Sequence, residues 1–389
     1  MKIRARLRVN PIVVFLYWLP AHFFLLIARF FPLQNKIVFD NFRGKGLGDD
    51  PKYILLQLIK NKVNAKYIWL LNDFAEDMPV EVKKIKYGSW LATFHYLTAK
   101  VWIDNVKSSP KPPKRNGQFY LQTWHGSFAN KMVEEDAKDY LCEEYIKASQ
   151  EDSSKIDLMY SNNDFKINLF KNSFWYKGPV IKSDSPQLSV LINPPPNLKK
   201  HLFSQFNIHQ QSKIVLYAPT FRRKLHSDTY IWNYQKILKA LEQTFNSEFT
   251  LLIRFHPNVN NSKVASIFNK NCINVTDYPD MDELMAISDV MITDFSGVAF
   301  DMALTRKPVF IFAKDYDDYV LNDRPQYFPQ NELPFTLAKT ELELQQNIQS
   351  FHNQSYQNKI NHFFKRIGME ERGFGAKNIA NIIMERLAK

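Results

Sequence analysis

Two histidines stand where a predicted strand gives way to a turn, one in each half of the chain. His125 follows Trp124 and precedes a glycine, and His256 follows the run Leu251–Phe255 and precedes a proline. An imidazole at a strand end titrates near neutral pH and can act as a general acid or base. Arg254 would share a strand face with His256, and a guanidinium beside an imidazole suits a pyrophosphate.

Each of these residues also has an ordinary structural interpretation. His125 could lie buried against Trp124, with its ring nitrogens satisfied by backbone groups. Arg254 could form an ion pair at the sheet edge with Asp277 or Asp282. Residue types and spacing leave both interpretations open.

A third candidate site is the segment Thr293-Asp294-Phe295-Ser296-Gly297. An apolar run typical of a buried strand ends here, and a helical pattern that includes Asp301 follows at once. A helix start at the carboxyl end of a parallel strand presents free N–H groups and favours phosphate. The alternative is an ordinary turn in which Asp294 and Ser296 serve as caps.

The segment Tyr217–Lys224 offers a hydroxyl at Thr220, a proline-fixed turn and cations that include Arg222. It follows a predicted strand and would lie beside the same cleft, although its last two cations could be a surface patch. The paired carboxylates of Tyr316–Tyr319 lack a third partner at useful spacing, so we predict no metal site. Basic residues are scattered without an aromatic-interleaved stripe, which argues against a nucleic-acid partner.

The elements that must position these residues alternate between strand and helix patterns. Such alternation predicts parallel sheets covered by helices. Predicted strands cover Lys36–Phe39, Tyr67–Leu71, Val101–Asp104, Phe119–Trp124, Leu158–Ser161, Ile214–Tyr217, Thr250–Phe255, Cys272–Val275, Asp289–Thr293 and Pro308–Phe312.

The proline-rich segment Asn193–Asn197 makes a stiff connector, and we place the domain boundary there. The expected division is a segment 1–33, a first α/β domain 34–196 and a second α/β domain 197–389 with closing C-terminal helices. Two or three domains also fit a length of 389 residues.

The composition indicates a folded protein and the class of its partner. An apolar fraction of 45% argues against disorder, and a net charge of +12 indicates an anionic partner such as a nucleotide, a phosphorylated polymer or an acidic membrane. The two cysteines, Cys142 and Cys272, form no metal-binding or disulfide pattern.

The amino terminus combines a basic cluster with the apolar stretch Ile12–Phe31. Its length would permit a membrane span, but Pro20 in the middle and Arg29 near the end argue against one. We expect a helix lying in the interface of the anionic inner leaflet. A buried core helix of the first domain is the alternative.

Together these segments resemble the CDP-glycerol glycerophosphotransferase family, whose members build teichoic-acid-like chains, from about Ile37 to Phe374. The motifs that carry the resemblance are Asp49–Lys52, Gln122–Gly126, Tyr217–Arg222, Arg254–His256, Asp282–Leu284 and Thr293–Asp301. The chain departs from the family pattern at Phe295, Gly297 and Gln187, where tyrosine, serine and arginine are common.

The resemblance implies a GT-B-like architecture, with two doubly wound domains facing across a cleft, an acceptor-side first domain and a donor-binding second domain. His125 matches the family's general base, and His256 matches a ligand of the donor phosphate. The expected donor-binding residues are Thr220, Arg222, Arg254, Asp294, Ser296, Gly297 and Asp301.

The predicted activity is transfer of glycerol phosphate or ribitol phosphate from a CDP-alditol to a hydroxyl of a lipid-linked or glycan acceptor, with release of CMP. The resemblance implies no bound cofactor other than this donor, and a peripheral location on the cytoplasmic face of a bacterial plasma membrane. A GT-B glycosyltransferase that uses a sugar nucleotide is the alternative, and a non-catalytic scaffold that binds phosphorylated glycans is a further one.

Overall fold

The computed structural model describes residues 30–107, 111–128, 130–220, 230, 232–255, 268–322 and 324–388. The expected membrane-associating segment 1–33 lies outside these residues except for its last four positions, so it stays a prediction. Within the described ranges, no helix combines the length and the apolar character that crossing a bilayer requires.

The first sheet has five parallel strands in the order β3-β2-β1-β4-β5. Its middle strands carry consecutive apolar residues, such as Ile37–Phe39 in β1, because helices cover both faces. The strands are β1 Gln34–Asp40, β2 Lys66–Leu71, β3 Val82–Lys86, β4 Ala99–Asp104 and β5 Phe119–Gln122. A short parallel pair, β6 Met159–Ser161 and β7 Val180–Lys182, follows.

The second sheet has six parallel strands in the order β10-β9-β8-β11-β12-β13. The chain forms β8, β9 and β10 in order on one side and then crosses back to place β11 on the other side of β8. The carboxyl ends of β8 and β11 therefore lie side by side. The strands are β8 Lys213–Ala218, β9 Phe249–Ile253, β10 Cys272–Asn274, β11 Val290–Thr293, β12 Val309–Phe312 and β13 Leu337–Ala338.

Helices cover both sheets and connect the strands. They are α1 Asp49–Lys60, α2 Trp90–Thr98, α3 Glu143–Ser153, α4 Asp164–Ser173, α5 Leu188–Ile192, α6 Leu198–Gln205, α7 Tyr234–Phe245, α8 Met281–Ile287, α9 Val298–Leu304, α10 Tyr316–Asn322, α11 Glu341–Gln349, α12 Asn353–Ile367 and α13 Gly375–Ala388. Within the described ranges, 3₁₀ helices cover Glu134–Tyr140 and Gln330–Glu332.

The predicted α/β class with two parallel sheets is confirmed. Strands β3, β7 and β13 were not predicted. β3 was missed because it is the edge strand of its sheet and its sequence, VKKIK, buries only Ile85.

The last helix, α13, returns to the first sheet instead of staying with the second. Ile379, Ala380, Ile383 and Leu387 are buried in the core that also contains Ile54 and Leu58 of α1. The C-terminal helix therefore belongs to the first core, although the predicted division assigned it to the second domain. The boundary at residue 196 itself stays a prediction.

We expect Ile383→Ala to lower the free energy of unfolding by about 2–5 kcal/mol, since the truncation leaves a cavity in the first core. Glu385→Ala, on the exposed face of the same helix, is the control and should change stability by less than about 0.5 kcal/mol. Urea denaturation measures both. Equal stability of the two variants would contradict the packing of α13.

Candidate active site between the two sheets

The turn after β5 places His125 at the carboxyl edge of the first sheet. Trp124 and Gly126 on either side of it have positive φ angles of 55° and 66°, which bend the chain sharply. Gln122 Oε1 accepts a hydrogen bond of 2.8 Å from the Trp124 N–H and stabilises this turn. His125 stacks on the Trp124 ring with the centroids 4.4 Å apart.

The surroundings of His125 define its tautomer. Its Nδ1 lies 3.0 Å from the carbonyl oxygen of Asn105. A carbonyl oxygen only accepts, so Nδ1 carries the hydrogen and Nε2 keeps a lone pair. Burial lowers the pKa of His125 to about 4, so the ring is neutral at physiological pH. Packing against Trp124 and a role as a base are thus compatible, because one nitrogen is satisfied by backbone and the other is available.

In the second sheet, Asp294 ties together the turns after β8 and β11. Its carboxylate accepts hydrogen bonds from the Thr220 N–H at 2.9 Å, from Thr220 Oγ1 at 2.5 Å and from the Phe295 N–H at 2.7 Å. Asp294 is buried. These contacts join the two turns to each other, whereas the N-cap residue of α9 is Gly297 and not Asp294 or Ser296, the two caps that the alternative interpretation expected.

Ser296 and Gly297 lie directly before α9, and both are partly exposed. Gly297 has a φ of −61°, which any residue can adopt. A glycine is needed here because the backbone of Phe128 passes close by. A Cβ at position 297 would lie 2.5 Å from the carbonyl oxygen of Phe128. The glycine thus permits close contact between the start of α9 and the turn that carries His125.

Phe128 extends this contact into the second core. Its ring lies 4.3 Å from that of Phe300 and 5.6 Å from that of Phe363, and it is 2% exposed. One step earlier, the Ser127 hydroxyl donates a hydrogen bond to the buried carboxylate of Asp301. Burial raises the pKa of Asp301 to about 6. Asp301, predicted to bind the donor, therefore contacts the His125 turn of the first domain.

Arg254 follows β9, and its Nη2 donates a hydrogen bond of 3.1 Å to the carbonyl oxygen of Pro279. The charges of Asp280 and Asp282 favour the charged form of its guanidinium, while the ion pair with Asp277 or Asp282 stays a prediction. Arg222 and His256 lie outside the described residues, so their predicted roles stay predictions. The structure therefore brings the turn that carries His125 into contact with Gly297, which follows Ser296, and with Asp301, while Thr220 and Asp294 form the neighbouring turn.

Several residues at this junction were not predicted as site residues. Lys52 Nζ lies 2.6 Å from Asp280 Oδ2, and the Tyr53 hydroxyl donates to the same oxygen at 2.7 Å. Asp50 accepts hydrogen bonds from the Tyr160 hydroxyl at 2.6 Å and from the Gln187 N–H at 2.8 Å. The motif Asp49–Lys52 signalled this region, but spacing along the chain does not reveal partners more than 100 residues away.

The segment after Phe128 makes further contacts with the second half of the chain. Asn130 Oδ1 accepts a hydrogen bond of 2.9 Å from the Phe328 N–H, and Lys131 Nζ donates to the Tyr319 hydroxyl. Tyr319 in turn stacks on Phe295, with the ring centroids 3.7 Å apart. Lys131 therefore supports the aromatic residue that covers the turn after β11.

We expect Gly297→Ala to separate the start of α9 from the His125 turn, because the added methyl group would overlap the Phe128 carbonyl. The cost of such overpacking is about 1–3 kcal/mol of unfolding free energy. Gly48→Ala is the matched control, since its Cβ would meet only the side-chain nitrogen of Asn41 at 3.3 Å. Urea denaturation compares the two, and equal stabilities would contradict the close contact.

Comparison with known proteins identifies the relatives of this chain. The teichoic acid poly(glycerol phosphate) polymerase of Staphylococcus epidermidis is 29% identical over 365 residues, which are 89% of this chain and 50% of that protein. The protein of the same description from Bacillus spizizenii is 26% identical over 396 residues, which are 99% of this chain and all of that protein. The chain thus spans half the length of the first relative and the full length of the second.

The structure of the wall teichoic acid polymerase TagF superposes with a TM-score of 0.82 at 26% identity, covering 97% of this chain and 96% of that one. A histidine-to-asparagine variant of TagF with CDPG gives a TM-score of 0.80 at 27% identity, covering 95% and 93%. This likeness confirms the predicted GT-B-like fold. The family described as CDP-Glycerol:Poly(glycerophosphate) glycerophosphotransferase matches residues 22–385, so the resemblance is confirmed, and the chain belongs to that family.

Proposed function

We propose that this protein transfers glycerol phosphate from CDP-glycerol to a hydroxyl group of an acceptor and releases CMP. The observation that carries the proposal is the neutral His125 at the junction of the two sheets, with Nδ1 bonded to the Asn105 carbonyl and Nε2 available. Family membership supports the donor, and a TagF structure with CDPG supports it further. Synthesis of a teichoic-acid-type or capsular surface polymer is the corresponding role.

In the proposed reaction, the acceptor oxygen attacks the phosphorus that carries the glycerol. A new phosphorus–oxygen bond forms as the bond from that phosphorus to the bridging oxygen breaks, and CMP leaves with the electron pair. His125 Nε2 takes the proton of the attacking hydroxyl. Because phosphoryl transfer needs positioning and charge stabilisation above all, the turn that orients His125 is central to the mechanism.

On the donor side, we assign Arg254, Ser296 and Gly297 to the phosphates of CDP-glycerol. Arg254 is partly exposed beside α8, and its guanidinium stays charged when it is partly desolvated. Thr220 and Asp294 shape the turn next to them. Arg222 and His256 complete the assignment on sequence grounds. CDP-ribitol is the alternative donor, and the family assignment argues against a sugar nucleotide.

We propose an anionic acceptor, either lipid-linked or a growing glycerol phosphate chain. Cationic groups that act on His125 and on Tyr145 support this choice. The charge of Arg324 acts on His125, and the charges of Arg43 and Arg324 act on Tyr145. Guanidinium groups bind phosphate through paired N–H donors, which suits an acceptor with phosphodiester groups.

We also propose peripheral association with the anionic inner leaflet of the plasma membrane. Where the described chain begins, Phe30 is 87% exposed and Phe31 is 44% exposed. At the start of α2, Trp90 is 54% exposed and Leu91 is 48% exposed, and the ring of Phe31 packs edge-on against Phe94 of the same helix. Exposed aromatic residues on a basic protein favour the interface of an anionic bilayer.

His125→Ala should lower turnover by about 10²–10⁴-fold at saturating donor and acceptor, because general-base catalysis contributes that much. The affinity for CDP-glycerol should change little. The measurement is CMP release with CDP-glycerol and a membrane extract, together with calorimetric binding of the donor. His201→Ala, at an exposed histidine of α6, is the control. Full turnover by the His125 variant would refute its role as the base.

The double variant Trp90→Ala/Leu91→Ala should bind vesicles that contain phosphatidylglycerol more weakly than the unaltered chain, since two exposed apolar groups are lost. Sedimentation with vesicles at low and high salt measures the binding, and added salt should weaken it further. Leu342→Ala, at a position 57% exposed on α11, is the control. Unchanged binding of the double variant would exclude this surface from the membrane contact.

A further inference from the structure

Lys166 is a buried lysine directly beneath the His125 turn. It lies in the first turn of α4 and is 8% exposed. Its ammonium group donates a hydrogen bond to the carbonyl oxygen of Gly126. Asn163, the N-cap of α4, donates from Nδ2 to the carbonyl oxygen of Ser127 at 2.8 Å. The start of one helix thus holds the two carbonyl groups that follow His125.

Carboxylates from both halves of the chain act on the same ammonium group. The charge of Asp50 at the start of α1 and that of Asp301 in α9 both favour its protonated form. Burial lowers the pKa of Lys166 to about 8, which leaves the group predominantly charged at neutral pH. A single cation therefore links the His125 turn to the donor-side helix.

His125 experiences this charge directly. Besides burial and the Asn105 carbonyl, the charged groups that act on its imidazole are Lys166 and Arg324, which disfavour protonation, and Glu134, which favours it. Glu134 forms a buried ion pair with Lys107 at 2.7 Å. The negative charge of Glu134 is therefore largely compensated. Of the three charged groups, Lys166 has the largest effect on the pKa of the imidazole.

We propose that Lys166 is a positioning residue of the transferase reaction, which fixes the His125 turn against α9 and adds to the effect of burial in keeping the imidazole proton-accepting. This inference rests on the proposed function, because it assumes that His125 is the base. Lys166 is not assigned a contact with the substrate. It acts through the Gly126 carbonyl and through its charge.

The test compares Lys166→Met, Lys166→Arg and, as a control, Lys171→Met at an exposed position of the same helix. The measurements are kcat and KM for CDP-glycerol over a pH series. Lys166→Met should lower kcat by about 10- to 100-fold, the effect expected from a displaced catalytic group, with KM nearly unchanged. Its activity should be lost on acidification at a higher pH than in the unaltered chain. Lys166→Arg should restore both the rate and the pH profile in large part, and Lys171→Met should match the unaltered chain.

A readout that needs no activity separates this inference from the proposed function. The His125 ring is titrated by NMR in protein labelled at the histidine side chain, with His125→Gln used to assign its signal. In Lys166→Met, the imidazole should protonate at a higher pH than in the unaltered chain. An unchanged titration in a folded Lys166→Met protein would overturn the inference, as would an unchanged rate.

The outcomes of the two proposals are distinguishable. Failure of the unaltered chain to release CMP from CDP-glycerol would refute the proposed function, while the titration still reports on Lys166. A rate lowered equally at every pH, with an unshifted titration, would make Lys166 purely structural and would contradict the inference. Circular dichroism verifies the fold of each variant, and Lys166→Arg provides a second test if Lys166→Met does not fold.

Discussion

The insertion of Phe128 into the core of the second sheet is the contact on which the arrangement of the site depends. Phe128 belongs to the turn that carries His125, yet its ring packs against Phe300 and Phe363. The preceding Ser127 bonds to Asp301, and Gly297 leaves room for the Phe128 carbonyl. The proposed base of the first domain is thereby fixed against the proposed donor side of the second.

Burying charge at this junction has a cost that the surrounding groups must offset. Asp49 and Asp50 are adjacent carboxyl groups at the start of α1, and burial together with the charge of Asp50 raises the pKa of Asp49 to about 8. Removing carboxylates from water is unfavourable unless cations or hydrogen bonds compensate. The charge of Lys166 acts on Asp49 and Asp50, and Lys52 pairs with Asp280. Both lysines also connect elements that are distant in sequence. The same lysines therefore compensate buried charge and hold the two halves of the chain in position.

Much of this organisation could be predicted from the sequence. Apolar runs that alternate with helical patterns indicated most of the strands of both sheets. The position of His125 directly after a predicted strand indicated that it lies at the carboxyl edge of the first sheet. The roles of Asp294 and Asp301 could not be predicted in the same way. Their expected place at the donor stays a prediction, and the structure adds that Asp294 accepts from Thr220 and Asp301 accepts from Ser127. A carboxylate that binds a ligand and one that binds a distant hydroxyl look alike in one sequence. Lys166 was not predicted as a site residue, because nothing in the sequence around it indicates that its side chain is buried against the His125 turn.

A crystal structure of the chain with CDP-glycerol bound would test the central claim most directly. The account predicts that the phosphate bearing the glycerol lies between the Nε2 of His125 and the segment Ser296–Gly297, with Nδ1 still bonded to the Asn105 carbonyl. A donor bound elsewhere, or an imidazole whose Nε2 points away from that phosphate, would contradict the account.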